Sequence, residues 1–440
     1  MVTKVSRLAC VPFFALLALL GVGKNDAPTG KPPAATLPDL KQLTPFAREV
    51  MCDFDQWDVN HDGVLSATEI DARVADPLVT GMPAAALGAI KEAWRSGKYE
   101  LPPLTRNYLI LYSTQAWDLS NALHAARQET IPFPVVSGEI SAYLSVLDYP
   151  YFDGVFYNGW RKIHRATSTI FTDANTPRLD KIHQGQTGDC YLLSVLGAML
   201  DRDGQNVRGM IAARPNGTCL VRFPSGRTVM VPSLTDTEIA MASDSEGTGR
   251  WLAVLETAYA QMRNNTLKAG QQNQIATDIM AHGGSPRLVI RWLTGHNARW
   301  LSLRPKTASA IAPQAAVSPL LPLLRATLVR ARETKHLCAA STPKFGQCPP
   351  AITVHHVFSV LGYDTVRDRV RLWNPHGNTF APQGTPGLAN GYPTHAGTFE
   401  MPLVEFAQTF DALTYETAEA YTPPPPKPTT AGTTPTIVSQ

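Results

Sequence analysis

Residues 183–194 read HQGQTGDCYLLS, a glycine-rich turn that runs without a spacer into an apolar stretch. Gly185, Gly188 and Asp189 are turn and helix-start residues, whereas Tyr191, Leu192, Leu193, Val195 and Leu196 have the density and length of a buried helix. The stretch therefore requires a buried helix whose first turn carries a thiol, that of Cys190. At that end the unpaired backbone N–H groups and the helix dipole favour negative charge, so the thiol is expected to lose its proton more readily than in water. Taken alone, the stretch equally suits a cysteine acting as a small buried apolar residue.

At 440 residues the chain is long enough for two or three domains, and its 44% hydrophobic content is ordinary for a globular protein. A formal charge of +3, with no long like-charge block, argues against nucleic acid as a partner. Proline collects near the two ends, in KPPAATLP (31–38) and PPPPKP (423–428). These read as a linker over 24–42 and a disordered tail over 421–440. Lys4 and Arg7 precede an apolar run from Leu8 to Val22, with Gly21 and Gly23 at its end. That is the layout of a secretory signal over 1–23, and the run is shorter than the roughly 20 residues needed to span a bilayer. Export, periplasmic or secreted, with no stable membrane span after signal removal is the expectation; an anchor through residues 8–23 is the alternative. Without the signal, Cys52, Cys190, Cys219, Cys338 and Cys348 remain. An odd count leaves at least one free thiol. Cys338 and Cys348 flank a polar loop that a disulfide would close.

The most specific local pattern lies near the front. Counted from Asp58, oxygen-bearing side chains fall at loop positions one, three, five and nine (Asp58, Asn60, Asp62, Ser66), with Gly63 at six and Glu69 at twelve; Val64 adds its carbonyl at seven. A hard cation such as Ca2+ needs short oxygen ligands on a sharply turning loop, a glycine at the tightest point and a long carboxylate to close the shell. An Asx-rich surface turn is the bland alternative. The pattern resembles an EF-hand, with Phe54 and Trp57 before it and Ile70 and Val74 after it as the apolar faces of the flanking helices. EF-hands pair through a short strand near loop position eight, here Leu65. No second ligand set follows, but residues 84–95 and 103–119 read as helices, so a metal-free partner loop is expected, with Tyr99 or Leu101 opposite Leu65.

A thiolate nucleophile needs an imidazole to exchange protons with it and a third group to hold that imidazole. The candidates stand in ITVHHVFSVLGYDTVRDRVRLWNPHG (352–377). Alternating apolar residues make Ile352 to Gly362 a strand, DTVRD a turn and Val370 to Trp373 the returning strand. His356 then lies on one strand of a hairpin and Asn374 at the end of the other, within reach across the pair.

QGQTGDCYLLS, HVFSVLGY and LWNPHG, in that order, resemble the catalytic core of the calpain family of papain-like cysteine peptidases. RFPSGRTVMVPSLTD is similar to the family's hairpin after the cysteine helix, and SEGTGRWLAVLETAYAQM to its Trp-bearing helix. AHGGSP and IRWLTGH resemble the segment leading into the second half. GTFEMPLVEFAQTF resembles the closing strand and helix, so the likeness spans about residues 150 to 420. It implies an α+β fold: a mainly helical lobe over 150–295 with Cys190 and a mostly antiparallel β lobe over 296–420 with His356 and Asn374. A small all-α EF-hand-like domain over 43–145 precedes them. It further implies Cys190 as nucleophile, His356 as general acid/base, Asn374 as its orienting residue and Gln184 as a side-chain donor to the oxyanion, beside the backbone N–H of Cys190. The chain differs from the family in three places. Tyr191 stands for the Trp after the cysteine, His376 for the Trp that shields the His–Asn hydrogen bond, and His355 for a Gly. Strand alternation points His355 and His356 to opposite faces. His355 and His376 are expected to be solvated or structurally satisfied.

The expected function is an exported, calcium-binding cysteine endopeptidase acting on protein or peptide substrates through a thioester. The alternatives are a catalytically weak, calcium-dependent binding module and a transglutaminase-like acyl transferase. Transglutaminases usually orient their His with Asp, so Asn374 favours the peptidase.

Overall fold

The computed structural model describes residues 43–97, 101–113, 152–174, 177–268, 270–304 and 311–422. The signal over 1–23, the linker over 24–42, Tyr99, residues 114–119 and the tail beyond 422 lie outside the described residues. The fold is mixed α+β with two antiparallel sheets.

Helix α1 (Pro45–Trp57) starts where Thr44 accepts the Ala47 N–H at 3.2 Å and Pro45 presets the first turn. Helix α2 (Ala67–Val74) begins at a capping box in which Ser66 and Glu69 satisfy each other's backbone N–H groups. Helix α3 (Gly81–Ser96) ends at Gly97, left-handed with φ 59°. Phe46 of α1 stacks on Phe152 of α4 (Phe152–Arg165) at 5.1 Å. Both α3 and α4 press on Ala240, and a Cβ added at Gly88 or Gly159 would come within 3.2 or 3.1 Å of it. All of this belongs to one compact unit, Leu40–Gln440.

Helix α5 (Cys190–Met210) is followed by the small sheet β1 (Ile211–Ala213), β2 (Cys219–Arg222) and β3 (Thr228–Val231). Then come α6 (Asp236–Met241), α7 (Trp251–Asn264) and α8 (Pro286–Thr294). Their apolar faces build a core around Tyr191, Trp251, Tyr259 and Trp292. The second sheet has the order β4 (His296–Ser302), β9 (Ala412–Ala420), β5 (Cys338–Ser341), β6 (Val357–Asp364), β7 (Arg369–Trp373), β8 (Thr398–Pro402). Helix α9 (Gln314–Val317), α10 (Leu321–Thr334) and α11 (Leu403–Thr409) accompany it, and Leu324, Leu328, Phe358, Phe406 and Phe410 lie in its core. Helix α5 meets β6 and β7 at Gly197, where a Cβ would come within 2.6 Å of the Ser359 hydroxyl and 2.7 Å of the Trp373 ring. The absence of a side chain there lets the cysteine helix lie directly on the sheet.

The hairpin expected around His356 forms, with Ser359 opposite Trp373, but its first strand begins at Val357 rather than Ile352. The backbone turns at His355, with φ 52°, and cannot stay extended through it. Cys338 and Cys348 are free thiols rather than a disulfide. Burial pushes them up to about 12 and about 11, so neither ionises near neutral pH. No described helix is long and apolar enough to cross a membrane.

Candidate active site

Cys190 opens α5, as its sequence context predicts, and Asp189 occupies the N-cap position. The preceding loop is tied down at its start. His183 exchanges backbone hydrogen bonds with Asp244 (2.9 and 2.8 Å), and the Gln184 N–H donates to the Pro375 carbonyl at 2.8 Å. Gly377, left-handed at φ 65°, leaves room for the His183 ring, which a Cβ there would strike. The loop carrying Gln184 is thus fastened to the turn that follows Asn374.

His356 is 5% exposed and sits directly before β6. Its backbone is clamped by Thr342, whose hydroxyl accepts the His356 N–H at 2.9 Å and whose N–H donates to the His356 carbonyl at 2.9 Å. On the ring, Nε2 lies 2.8 Å from Asn374 Oδ1. Asn374 is itself oriented, since its Nδ2 donates to Asn378 Oδ1 at 2.9 Å and its Oδ1 also accepts the His376 N–H at 3.1 Å. An acceptor oxygen facing Nε2 makes that nitrogen the protonated one, which leaves Nδ1 with a free lone pair. The backbone of Val357, next in chain to His356, acts on the Cys190 thiol to favour its ionised form. The helix that begins at Cys190 thus packs on β6, the strand that begins directly after His356, with the Ser359 hydroxyl donating to the Ser194 carbonyl at 2.6 Å.

Protonation differs from the sequence expectation. Burial, helped by the neighbouring Asp189, pushes the Cys190 thiol up to about 11. The N–H groups of Val357, Tyr191 and Cys190 act the other way, as a helix start should, but desolvation outweighs them. Burial, with His376 adding to it, pushes His356 down to about 3 against the opposing Asn374 hydrogen bond. The resting pair is thus a neutral thiol and a neutral imidazole.

Gln184 is half-buried, and its Nε2 donates one N–H to the Thr187 carbonyl at 2.8 Å, which leaves the second N–H of that amide for another acceptor. His355 is exposed whereas His356 is buried. His376 is exposed too, and its ring stacks on His356 at 4.5 Å. Sequence reasoning missed Glu256. It is buried on α7 and linked to Asp189 through Ser243, whose N–H donates to Glu256 at 3.1 Å and whose hydroxyl donates to Asp189 at 3.3 Å, and burial raises both carboxyls, Asp189 well above its ordinary range. Desolvation thus favours the neutral form of each of these carboxyls beneath the nucleophile. The signal was legible: one Glu inside the otherwise apolar WLAVLETAYA.

In the front loop, Asp58 is buried and its two oxygens accept the N–H groups of Asp62 (3.2 Å) and Gly63 (2.8 Å). Glu69 accepts from Asn60 N–H at 3.2 Å and from the Ser66 N–H and hydroxyl at 2.9 and 2.7 Å; the Ser66 hydrogen bonds lower its pKa. Asn60 and Asp62 are exposed and cap Asx turns onto Asp62 and Val64. Among the described residues no three acidic, histidine or cysteine side chains gather as a ready metal cage. Half of the expected ligand set here is amide, hydroxyl and carbonyl oxygen. An all-oxygen set on a loop turning at Gly63 (φ 82°, with open space around it) fits a hard cation. Leu65 does find a partner segment, but its N–H donates to the Leu104 carbonyl at 3.1 Å and Val64 bridges Thr105, three residues beyond the expected Leu101.

Neither a protein-family model nor a curated protein sequence matches the chain.

Proposed function

We propose that the chain is a calpain-like cysteine endopeptidase of the papain type, exported and calcium-binding, with its two lobes meeting at Cys190. The observation that carries this reading is the buried 2.8 Å His356–Asn374 hydrogen bond at the end of the hairpin on which the helix begun by Cys190 packs. In this reading the Cys190 sulfur attacks the scissile carbonyl as its proton passes to His356 Nδ1. The carbonyl oxygen becomes an oxyanion that accepts from Gln184 Nε2 and the Cys190 N–H. His356 then protonates the departing amine, the C–N bond breaks and a thioester remains. Water attacks that thioester, giving its proton to His356, and Cys190 leaves with it. Asn374 holds Nε2–H throughout and so keeps Nδ1 basic.

In the front loop Asp58, Asn60, Asp62, Ser66, Glu69 and the Val64 carbonyl would hold Ca2+, which neutralises three neighbouring carboxylates. The neutral Cys190–His356 pair favours a second reading, a weakly catalytic module that binds peptide in a calcium-dependent way. One experiment separates the two: incubation with casein, with and without calcium and with and without iodoacetamide. Cleavage that iodoacetamide abolishes supports the peptidase. Binding without cleavage supports the module, and transfer of amines to glutamine would instead point to acyl transferase chemistry.

A further inference from the structure

Helix α3 carries three charged residues, Lys91, Glu92 and Arg95, that are buried, a placement tolerated only when the charges are paired. Lys91 Nζ sits between Asp71 of α2 and Asp278 Oδ2, the latter at 2.6 Å. Arg95 grips Glu92 through two N–H groups (3.1 and 2.5 Å). It also reaches into the helical part that carries Cys190, donating to the hydroxyls of Thr187 at 2.6 Å and Thr277 at 3.2 Å. The Thr187 hydroxyl donates onward to Glu92 Oε1 at 3.2 Å. On its other side, the Thr187 carbonyl accepts both the Gln184 side-chain N–H at 2.8 Å and the Asp189 N–H at 2.9 Å. One threonine, three residues before Cys190, therefore joins the ion pair of α3 to the side chain of Gln184.

We infer that Arg95 and Glu92 are positioning residues for the Gln184 amide, acting through Thr187, so that the front helical segment is a working part of the site. The inference rests on the peptidase reading for Gln184, but the hydrogen-bond path stands independently of it. Without the clamp, Thr187 is free to turn, its carbonyl no longer fixes the Gln184 amide, and the oxyanion loses a preorganised donor while substrate binding is largely kept.

Two variants test this: Thr187→Val, which spares the Arg95–Glu92 pair, and Arg95→Met as the more disruptive one. Each should lower kcat by about ten- to a hundredfold with KM within about twofold. Alkylation of Cys190 by iodoacetamide, a displacement that forms no oxyanion, should keep its wild-type rate. Amide hydrogen exchange over residues 184–189 should quicken, and Thr187→Val should add almost nothing in a Gln184→Ala background. Full additivity with Gln184→Ala, or alkylation falling in step with kcat, would overturn the inference. Wild-type protein without peptidase activity would sink the peptidase reading alone. Unchanged hydrogen exchange in both variants would sink the positioning itself.

Discussion

His376 stacks face to face on His356, ring centroids 4.5 Å apart and planes within 5° of parallel. Any positive charge on His376 opposes protonation of His356, adding to the burial that already holds that ring down to about 3. With Cys190 held up to about 11, the thiolate forms only as pH climbs. Alkylation of Cys190 by iodoacetamide should therefore accelerate about tenfold per pH unit through the neutral range. His376→Trp removes the charge but keeps the stacked face, and should raise the rate at neutral pH. A rate in the wild type that is already flat across neutrality would mean a preformed thiolate–imidazolium pair and would refute this account.

Deletion of the proposed machinery should follow a definite order. Cys190→Ala should abolish proteolysis without unfolding, since a half-buried thiol gives way to a slightly smaller apolar group. Asn374→Ala should be milder than His356→Ala, because orientation is lost rather than the proton carrier. Gln184→Ala should lower kcat by about 10²–10³ with little change in KM. Steady-state kinetics check the series, and a change in KM alone would make Gln184 a substrate-binding residue.

His355 holds a left-handed backbone, φ 52°, and its N–H donates to the Pro343 carbonyl at 2.6 Å. A residue with a Cβ is strained there, whereas glycine is not. His355→Gly should stabilise the fold by about 0.5–1 kcal/mol, after the greater flexibility of glycine in the unfolded chain is counted. Chemical denaturation would measure it, and a destabilised variant would show that the His355 side chain contributes more than the strain costs.

Asp153 is buried on α4 with Oδ2 accepting from Ser113 at 2.6 Å, and burial pushes its carboxyl up to about 6. A folded pKa above the unfolded value means that its stabilising contribution is complete below about pH 3.9 and is lost as pH rises through about 6. Asp153→Asn keeps the acceptor without the charge. It should melt higher than wild type at pH 7.5, by up to about 3 kcal/mol in stability, with the advantage vanishing near pH 4. An equal gain at both pH values would show that ionisation is not the cause.

Asp58, Asp62 and Glu69 repel one another in the metal-free loop, and Ca2+ would relieve that repulsion. Stabilisation follows RT ln(1 + [L]/Kd), about 2.7 kcal/mol at a hundredfold excess over Kd. Glu69→Gln should flatten the calcium dependence of Tm and leave the activity of still-folded protein largely intact, as a structural staple requires. If wild-type activity instead rises steeply with calcium and Glu69→Gln removes that rise while both proteins stay folded, the loop is a regulator.

The helix that begins at Cys190, the helix carrying Ile70 and Val74 and the β6–β7 hairpin were legible in the sequence, because each rests on hydrogen bonds and apolar spacing within a few residues. His356 and Asn374 were legible for the same reason, 18 residues apart and flanking the adjoining ends of the two strands of one hairpin. Other features were decided only by the tertiary structure. Leu65 pairs with Leu104 because the path of the chain between them sets the register, and no local pattern encodes it. The protonation of Cys190 and His356 runs against the local helix-start argument, since desolvation sums over every element packed around a group. The Asp189–Glu256 link through Ser243 and the Arg95–Thr187 hydrogen bond join residues 67 and 92 positions apart. A lone sequence shows that such charged side chains sit among apolar neighbours, but burial forces each to find a partner, and only the folded chain determines which partner is near.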